Sequence, residues 1–438
     1  MSPDRRSWIA SANDPDCGFP LNSLPWCVFH TDVGDHIGIG IGDRVLDLHA
    51  CAESSLLGSL SDTVQAACRA QTLNSLMALG PDVWQSVRNR MTELLAQDTT
   101  DPASLSARAQ VEKLLQRRSE IRFVLPAAIG DYTDFYASQH HARRVGQLFR
   151  PQNPLLPNYS WVPIGYHGRA SSIVLGNTPI RRPWGQQKRE GDKPAFAPSA
   201  RLDYEAEIGL YIGAGNPLGT SIPVDSAESH IFGLCVLNDW SARDLQSWEY
   251  QPLGPFLAKS FATSVSPWVV PLAALESYRV PGPERTAEDP APLPYLRSSS
   301  FATDGFDVTV SVSLRSARMR DEHMPSVEIS RSNLRSLFWS LRQLVTHHTS
   351  NGCNLRPGDL LATGTISGPD AGSEGCLLEM QATRGKLQLP TGEVRDFLED
   401  GDEVTLRAVA ERPAAPRIEV GCCTAVVLPA ATSATSGH

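Results

Sequence analysis

The run Phe306-Asp307-Val308-Thr309-Val310-Ser311-Val312-Ser313-Leu314 alternates a large apolar side chain with a polar one at every step. Successive side chains of a strand point to opposite faces, so this period of two describes a strand with one buried and one wetted face. Leu377 to Met380 and Val404 to Val409 carry a weaker form of the pattern and are expected as strands. Between them Leu334, Leu337, Phe338, Leu341, Leu344 and Val345 recur at helical spacing, with Gly352 past their end, which predicts one helix starting near Leu334. Five prolines between Pro281 and Pro294 mark a surface loop. No internal repeat occurs, and helix and strand do not alternate in the doubly wound manner. Residues 121–438 therefore read as one large β-rich domain.

Working back towards the N-terminus, Ile37, Ile39 and Ile41 alternate with glycines, and Val45 to Leu48 follow Gly42-Asp43, which predicts two strands around a turn. Val83, Val87, Met91, Leu94 and Leu95 then fall at helical spacing, as do Ala107, Val111, Leu114 and Leu115. Residues 1–120 are expected to form a separate unit, with the boundary before the apolar stretch Ile121 to Leu125.

Composition narrows the function. The chain has 438 residues, of which 48 are acidic and 39 basic, giving a net charge of −9. With no basic block there is no stripe of cations to displace counterions from a phosphate backbone, so nucleic acid is not expected as a partner. Apolar stretches such as Pro267 to Leu275 fall well short of the ~20 residues that cross a bilayer. Met1 to Arg6 begins no apolar leader, and the nine scattered cysteines form no Cys-x-x-Cys pair. Both features predict a cytoplasmic protein with reduced thiols, without a disulfide framework or a zinc cage.

Chemistry-bearing residues gather in three segments. In Arg201-Leu202-Asp203-Tyr204-Glu205-Ala206-Glu207-Ile208, Glu205 and Glu207 share one face of a strand-like run, and adjacent carboxylates are costly to bury without a cation. The others are Gly130-Asp131-Tyr132-Thr133-Asp134-Phe135-Tyr136 and Leu237-Asn238-Asp239-Trp240-Ser241-Ala242-Arg243-Asp244. Oxygen ligands from three segments suit a hard cation such as Ca²⁺ or Mg²⁺. Spacing alone does not choose among the aspartates. Gly254 to Ser260 falls one residue short of a phosphate loop, and Gly213, Gly215 and Gly219 miss the dinucleotide fingerprint.

Longer blocks make the chain recognisable. Asp131 to Tyr136, His141, Trp161 to Arg169, Asn238 to Asp244, Pro252 to Ser260 and Asn354 to Gly368 resemble, in motif order, the fumarylacetoacetase family. The resemblance runs from about residue 20 to residue 430. It implies a mainly β (α+β) fold, with a small N-terminal SH3-like barrel domain and a large C-terminal β-roll domain. It further implies a homodimer, a divalent metal, and hydrolysis of a carbon–carbon bond in 4-fumarylacetoacetate. The products would be fumarate and acetoacetate, at the end of tyrosine and phenylalanine breakdown.

Carried over position by position, the resemblance makes Asp134, Glu205, Glu207 and Asp239 metal ligands and leaves Asp131 unused. A second cation, Mg²⁺, would sit near Asp239, Lys259 and Thr263. His141, five positions after Tyr136, matches the family's catalytic histidine, and its neighbour His140 does not. An imidazole can take a proton from water near neutral pH and return it later. Glu379 matches the carboxylate that orients that imidazole. Arg243, Gln246 and Lys259 resemble the donors around the oxyanions, a role worth ~3–4 kcal/mol per donor. Tyr136, Arg150, Tyr166, Gln246, Tyr250 and Thr365 match substrate contacts, with Arg150 the carboxylate partner. Two departures stand out: a loop one residue shorter between Arg150 and Leu155, and an unusual segment from Ala371 to Glu374.

Two other readings compete. An acylpyruvate hydrolase or β-keto acid decarboxylase of the same superfamily would share the metal set, but typically lacks the long N-terminal domain and the Asp131 to Tyr136 block. A non-catalytic metal-binding scaffold would have lost the base or the oxyanion donors, and this chain keeps both.

Overall fold

The computed structural model describes residues 5–188, 193–413 and 415–432; residues 1–4, on which the expectation of a leaderless start partly rests, lie outside the described residues. The N-terminal strands build a five-stranded sheet in the order Leu115–Arg117, Arg44–Asp47, Gly34–Ile41, Trp26–Thr31, Arg122–Val124. Gly42 makes the tight turn between the two strands expected there, with φ of +57°. A Cβ on it would fall 2.4 Å from Ser11 Oγ, so both the dihedral and the space call for glycine. The sheet extends past residue 120, because Arg122–Val124 pairs with Val28 to His30. Helix Pro81–Leu95 forms where the apolar spacing predicts, whereas Pro102–Lys113 ends before Leu114 and Leu115, because Leu115 is taken into the sheet opposite Leu46. Each helix has proline in its first turn, and the second is capped by Asp101.

The largest sheet has seven strands in the order Gly165–His167, Tyr132–Phe135, Leu360–Ala362, Ala206–Ile212, Ile231–Asp239, Thr263–Val265, Ile173–Leu175. Its two central strands are buried along their whole length. The reason is that both faces are covered. Ile208, Leu210, Leu234 and Val236 pack into the C-terminal core, while Tyr211, Phe232, Cys235 and Leu237 pack against the N-terminal unit. A strand buried on both faces needs apolar residues at consecutive positions rather than alternate ones. The opposite pattern marks the second large sheet, ordered Val327–Asn333, Thr309–Arg315, Glu403–Ala410, Ile418–Leu428, Ile180–Arg181. There Val310, Val312 and Leu314 are buried, and the residues between them are partly exposed. The architecture is of mixed α/β content around a curled, half-barrel sheet.

Two sequence expectations are corrected. The helix anticipated from Leu334 begins only at Leu341 and ends at Thr349. Ser340 and Gln343 cap its start reciprocally, and Leu334–Ser336 is a separate single turn. Leu334, Leu337 and Phe338 are nevertheless buried, so burial mimicked helical spacing across a break. The second correction concerns Leu377 to Met380, which is the first half of a helix, Leu377–Arg384, and not a strand. Its N-terminal amides at Leu377 and Leu378 donate to the buried carboxylate of Asp203, 2.8 and 3.0 Å away. A four-residue apolar run could not reveal that distant cap.

The proline-rich stretch from Pro281 to Pro294 is a loop anchored by Arg285, whose guanidinium lies 4.1 Å from the Phe338 ring centre and 4.5 Å from that of Trp339. All nine cysteines are free. Among the described residues no helix is long and apolar enough to cross a membrane.

Candidate active site

Four carboxylates converge where the ends of the central strands meet. Asp134 comes from Tyr132–Phe135, Glu205 from the residue just before Ala206–Ile212, Glu207 from the second position of that strand, and Asp239 from the last position of Ile231–Asp239. Asp134 and Asp239 lie on non-adjacent strands, with Ala206–Ile212 and Leu360–Ala362 between them. One oxygen from each of the four falls within 4.8 Å of the others, and all four residues are buried. Asp131 points away to pair with Arg356 on the surface.

Only part of this charge is met by the protein. Lys259 Nζ bridges Glu205 Oε2 and Asp239 Oδ2, lying 2.7 Å from the latter. Burial works against the ammonium, but Asp239 and Glu205 outweigh it and hold Lys259 protonated. Arg243 donates Nη1 to Glu205 Oε1 at 2.7 Å and Nε to Asp203 Oδ2 at 3.0 Å. Thr263 Oγ1 donates to Asp239 Oδ1 at 3.1 Å, and the Tyr166 hydroxyl lies 2.7 Å from Asp239 Oδ2 and 3.0 Å from Asp134 Oδ2. Glu205 is consequently held far below the usual carboxylate range: burial pushes it up, and Lys259 and Arg243 more than compensate. Asp134 and Glu207 go the other way, raised first by burial and then by the neighbouring carboxylates.

The residues fit a hard divalent cation. Asp134 Oδ1 and Glu207 Oε1 are buried acceptors with no hydrogen-bond partner among the described residues. Two unpaired oxygens inside a cluster of four carboxylates, with no sulfur or nitrogen ligand among them, are the donor set of Ca²⁺, Mg²⁺ or Mn²⁺ sites.

A second group adjoins the first. His141, on helix Gln139–Phe149, places Nδ1 2.7 Å from Glu379 Oε2 on helix Leu377–Arg384. His140 makes no such contact. The Tyr136 ring stands edge-on to the His141 ring at 5.2 Å. Burial raises Glu379, but His141 and Ser367 on the carboxylate, together with the charge of Arg144, bring it below the usual range. An ionised carboxylate only accepts, so the proton of this contact sits on Nδ1, and in the neutral form of the imidazole the lone pair is then on Nε2.

Around this core, Arg243 also donates to Gln246 Oε1 at 3.0 Å, and its Nη2 is buried with no partner among the described residues. Arg150 ends helix Gln139–Phe149 with a buried Nε that has no partner among the described residues. Tyr250 closes helix Arg243–Glu249 and its ring lies 6.2 Å from that of Phe149. Thr365 is buried one residue beyond Gly364, whose N–H donates to Glu207 Oε2. Tyr166, anticipated as a substrate contact, has its hydroxyl committed to the two aspartates.

Sequence reading left Asp203, Arg144, Ser367 and Cys376 without roles. Asp203 links Arg243 to the cap of the helix bearing Glu379. It belongs to the same short run as Glu205, and that proximity was the one available signal.

The comparisons with known proteins fit this picture. The family model "Fumarylacetoacetase N-terminal" matches residues 22–126, and "Fumarylacetoacetate (FAA) hydrolase C-terminal" matches residues 131–428. A fumarylacetoacetase of Caenorhabditis elegans is 45% identical over 434 residues, covering 97% of this chain and 99% of that protein. The Homo sapiens fumarylacetoacetase is 44% identical over 430 residues, with the same coverage, and that of Arabidopsis thaliana is 43% identical over 419, covering 94% and 96%. Among solved structures, a fumarylacetoacetate hydrolase from psychrophilic Exiguobacterium antarcticum superposes with a TM-score of 0.51 at 16% identity, over 92% of this chain and 99% of that one. At that identity the likeness concerns the fold alone.

Proposed function

This chain belongs to the fumarylacetoacetase family, and from that premise we propose how its residues perform the family's reaction. The protein hydrolyses 4-fumarylacetoacetate to fumarate and acetoacetate, a step of tyrosine and phenylalanine catabolism. The observation that carries the reading is a buried imidazole–carboxylate pair beside four buried carboxylates, in a chain similar to fumarylacetoacetases along nearly its whole length.

His141 is the base. With Nδ1–H donated to Glu379, Nε2 accepts a proton from water, and the hydroxide adds to the carbonyl carbon of the fumaryl side. The carbon–carbon bond then breaks, its electron pair leaves with the acetoacetate fragment as an enolate, and the proton on His141 returns to that carbon. Arg243, through its unpartnered Nη2, together with Gln246 and Lys259, faces the oxygens on which negative charge grows. Asp134, Glu205, Glu207 and Asp239, with Lys259 and Thr263 alongside, would hold a divalent cation, Ca²⁺ or Mg²⁺, which would supply fixed positive charge for those oxygens. Arg150, with its unpaired Nε, anchors a substrate carboxylate, and Tyr136, Tyr166, Tyr250 and Thr365 line the rest of the site.

The remaining features follow the family. The protein is read as a cytoplasmic homodimer, with an SH3-like N-terminal domain over residues 1–120, to which the strand Arg122–Val124 is added, followed by a β-roll catalytic domain that extends towards residue 438. The test is the decay of the enol absorbance of 4-fumarylacetoacetate with purified protein, scoring fumarate with and without chelator. Metal-dependent fumarate release is expected. Cleavage of a simple acylpyruvate with no action on 4-fumarylacetoacetate would overturn the reading.

A further inference from the structure

The carboxylate of Glu379 is fully buried, and its two oxygens are treated differently. Oε2 accepts three hydrogen bonds, from His141 Nδ1 at 2.7 Å, Ser367 Oγ at 2.8 Å and Cys376 Sγ at 3.4 Å. Oε1 has one hydrogen-bond donor among the described residues, Arg144 Nη1 at 3.3 Å. Arg144 stands three positions after His141 on the same helix, the spacing that puts two side chains on one face. Its other terminal nitrogen donates to the carbonyls of Gly368, Pro369 and Asp370 at 2.9, 3.2 and 3.4 Å. The guanidinium thus joins the helix bearing His141, the helix bearing Glu379 and the segment that follows Ser367.

The terminal torsion of a glutamate is broad, so a carboxylate gripped through one oxygen still rocks about it. A fork-shaped cation that grips the second oxygen, and is itself fixed on backbone carbonyls, removes that freedom. We propose that Arg144 is a positioning residue of the reaction, holding Glu379 by Oε1 so that Oε2 stays aligned on His141. This rests on the reading of His141 as the base. Arg144 touches neither substrate nor cation in this scheme, and its whole effect passes through Glu379.

Steady-state fumarate release by Arg144→Ala, Arg144→Lys, Glu379→Gln and the double variant Arg144→Ala/Glu379→Gln tests this. Removing a group that orients a reacting side chain typically costs about 10- to 100-fold in activity. A loss of that size in kcat, with KM nearly unchanged, is expected for Arg144→Ala. Low, non-denaturing guanidinium should restore part of it, and urea should not. In the Glu379→Gln background the same substitution should cost nothing further. Should Arg144→Ala fail to fold, Arg144→Lys compared in the two backgrounds carries the test, because lysine keeps the charge but cannot reach both Oε1 and the carbonyls. Wild-type kcat in a folded Arg144 variant, or losses that multiply in the double variant, would overturn the proposal while leaving the function intact. Absence of fumarate release by the wild-type protein would overturn the functional reading, and the proposal with it.

Discussion

His141 and Glu379 are 238 positions apart in the chain, yet Nδ1 and Oε2 meet at 2.7 Å with the histidine side chain 4% exposed and the glutamate fully buried. The contact depends on two short helices from opposite halves of the catalytic region. One is started by Ser138, whose hydroxyl accepts from the His141 N–H, and the other by the distant carboxylate of Asp203. The register of one histidine therefore decides the chemistry.

His141→Ala should lower kcat by about 10²- to 10⁴-fold, the usual worth of a general base, with cation binding intact. His140→Ala should stay within a few-fold of wild type, because His140 makes no hydrogen bond among the described residues. Initial rates of fumarate release compare the two, and the reverse ranking would mean that the helix register has been misassigned.

The four carboxylates predict a cation-dependent melting temperature. Protein dialysed against chelator should melt higher on addition of Ca²⁺ or Mg²⁺, with a gain of about 2.7 kcal/mol at a hundred times Kd. Glu207→Gln removes a carboxyl whose ionisation is opposed by burial and by its acidic neighbours, so its chelated form should melt no lower than chelated wild type and respond less to the cation. Thermal melts that ignore every divalent cation would remove the metal from this account.

Lys259→Met leaves Glu205 and Asp239 facing each other without their shared ammonium. Deleting one partner of a buried ion pair costs about 3–5 kcal/mol, so a loss of that order is expected in chelated protein, read from the urea midpoint, together with loss of turnover. A midpoint equal to wild type would show that the two carboxylates are relieved in some other way.

Asp304 gives a stability prediction with a definite sign. Burial, with Glu228 nearby, raises its carboxyl to about 6 against the pull of Ser340 and Arg342. Between pH ~4 and ~6 the folded protein then binds the proton more tightly than the unfolded chain, so this group's contribution falls as pH rises and its full cost stands above pH ~6. Asp304→Asn should gain on wild type across that window, by on the order of 2–3 kcal/mol at pH 7 relative to pH 4. Parallel denaturation curves at the two pH values check it, and a pH-independent difference would contradict it.

Much was legible from residue order alone. The alternation from Phe306 to Leu314 specified a half-buried strand, and the spacing from Val83 to Leu95 specified a helix, because each period is imposed by local backbone geometry. Glu205 and Glu207 announced a cation site because two acids in an apolar strand have no cheap burial otherwise. Where local signals ran out, reading failed. The run from Leu334 to Val345 kept helical spacing through a break set by the Ser340–Gln343 cap, and Cys376 to Met380 was too short to separate helix from strand.

The sequence by itself determined which groups are available: four carboxylates, an imidazole, and the cations that answer them, in blocks distinctive enough to identify the family. Only the tertiary structure decided how they are partnered. Asp203 became a helix cap as well as the mate of Arg243, Tyr166 became a bridge between two aspartates, and Arg144 came to rest on the free oxygen of Glu379. Periodicity is written in neighbouring residues. A hydrogen bond between segments more than a hundred positions apart exists only once the sheets have packed and excluded the water that would otherwise satisfy it.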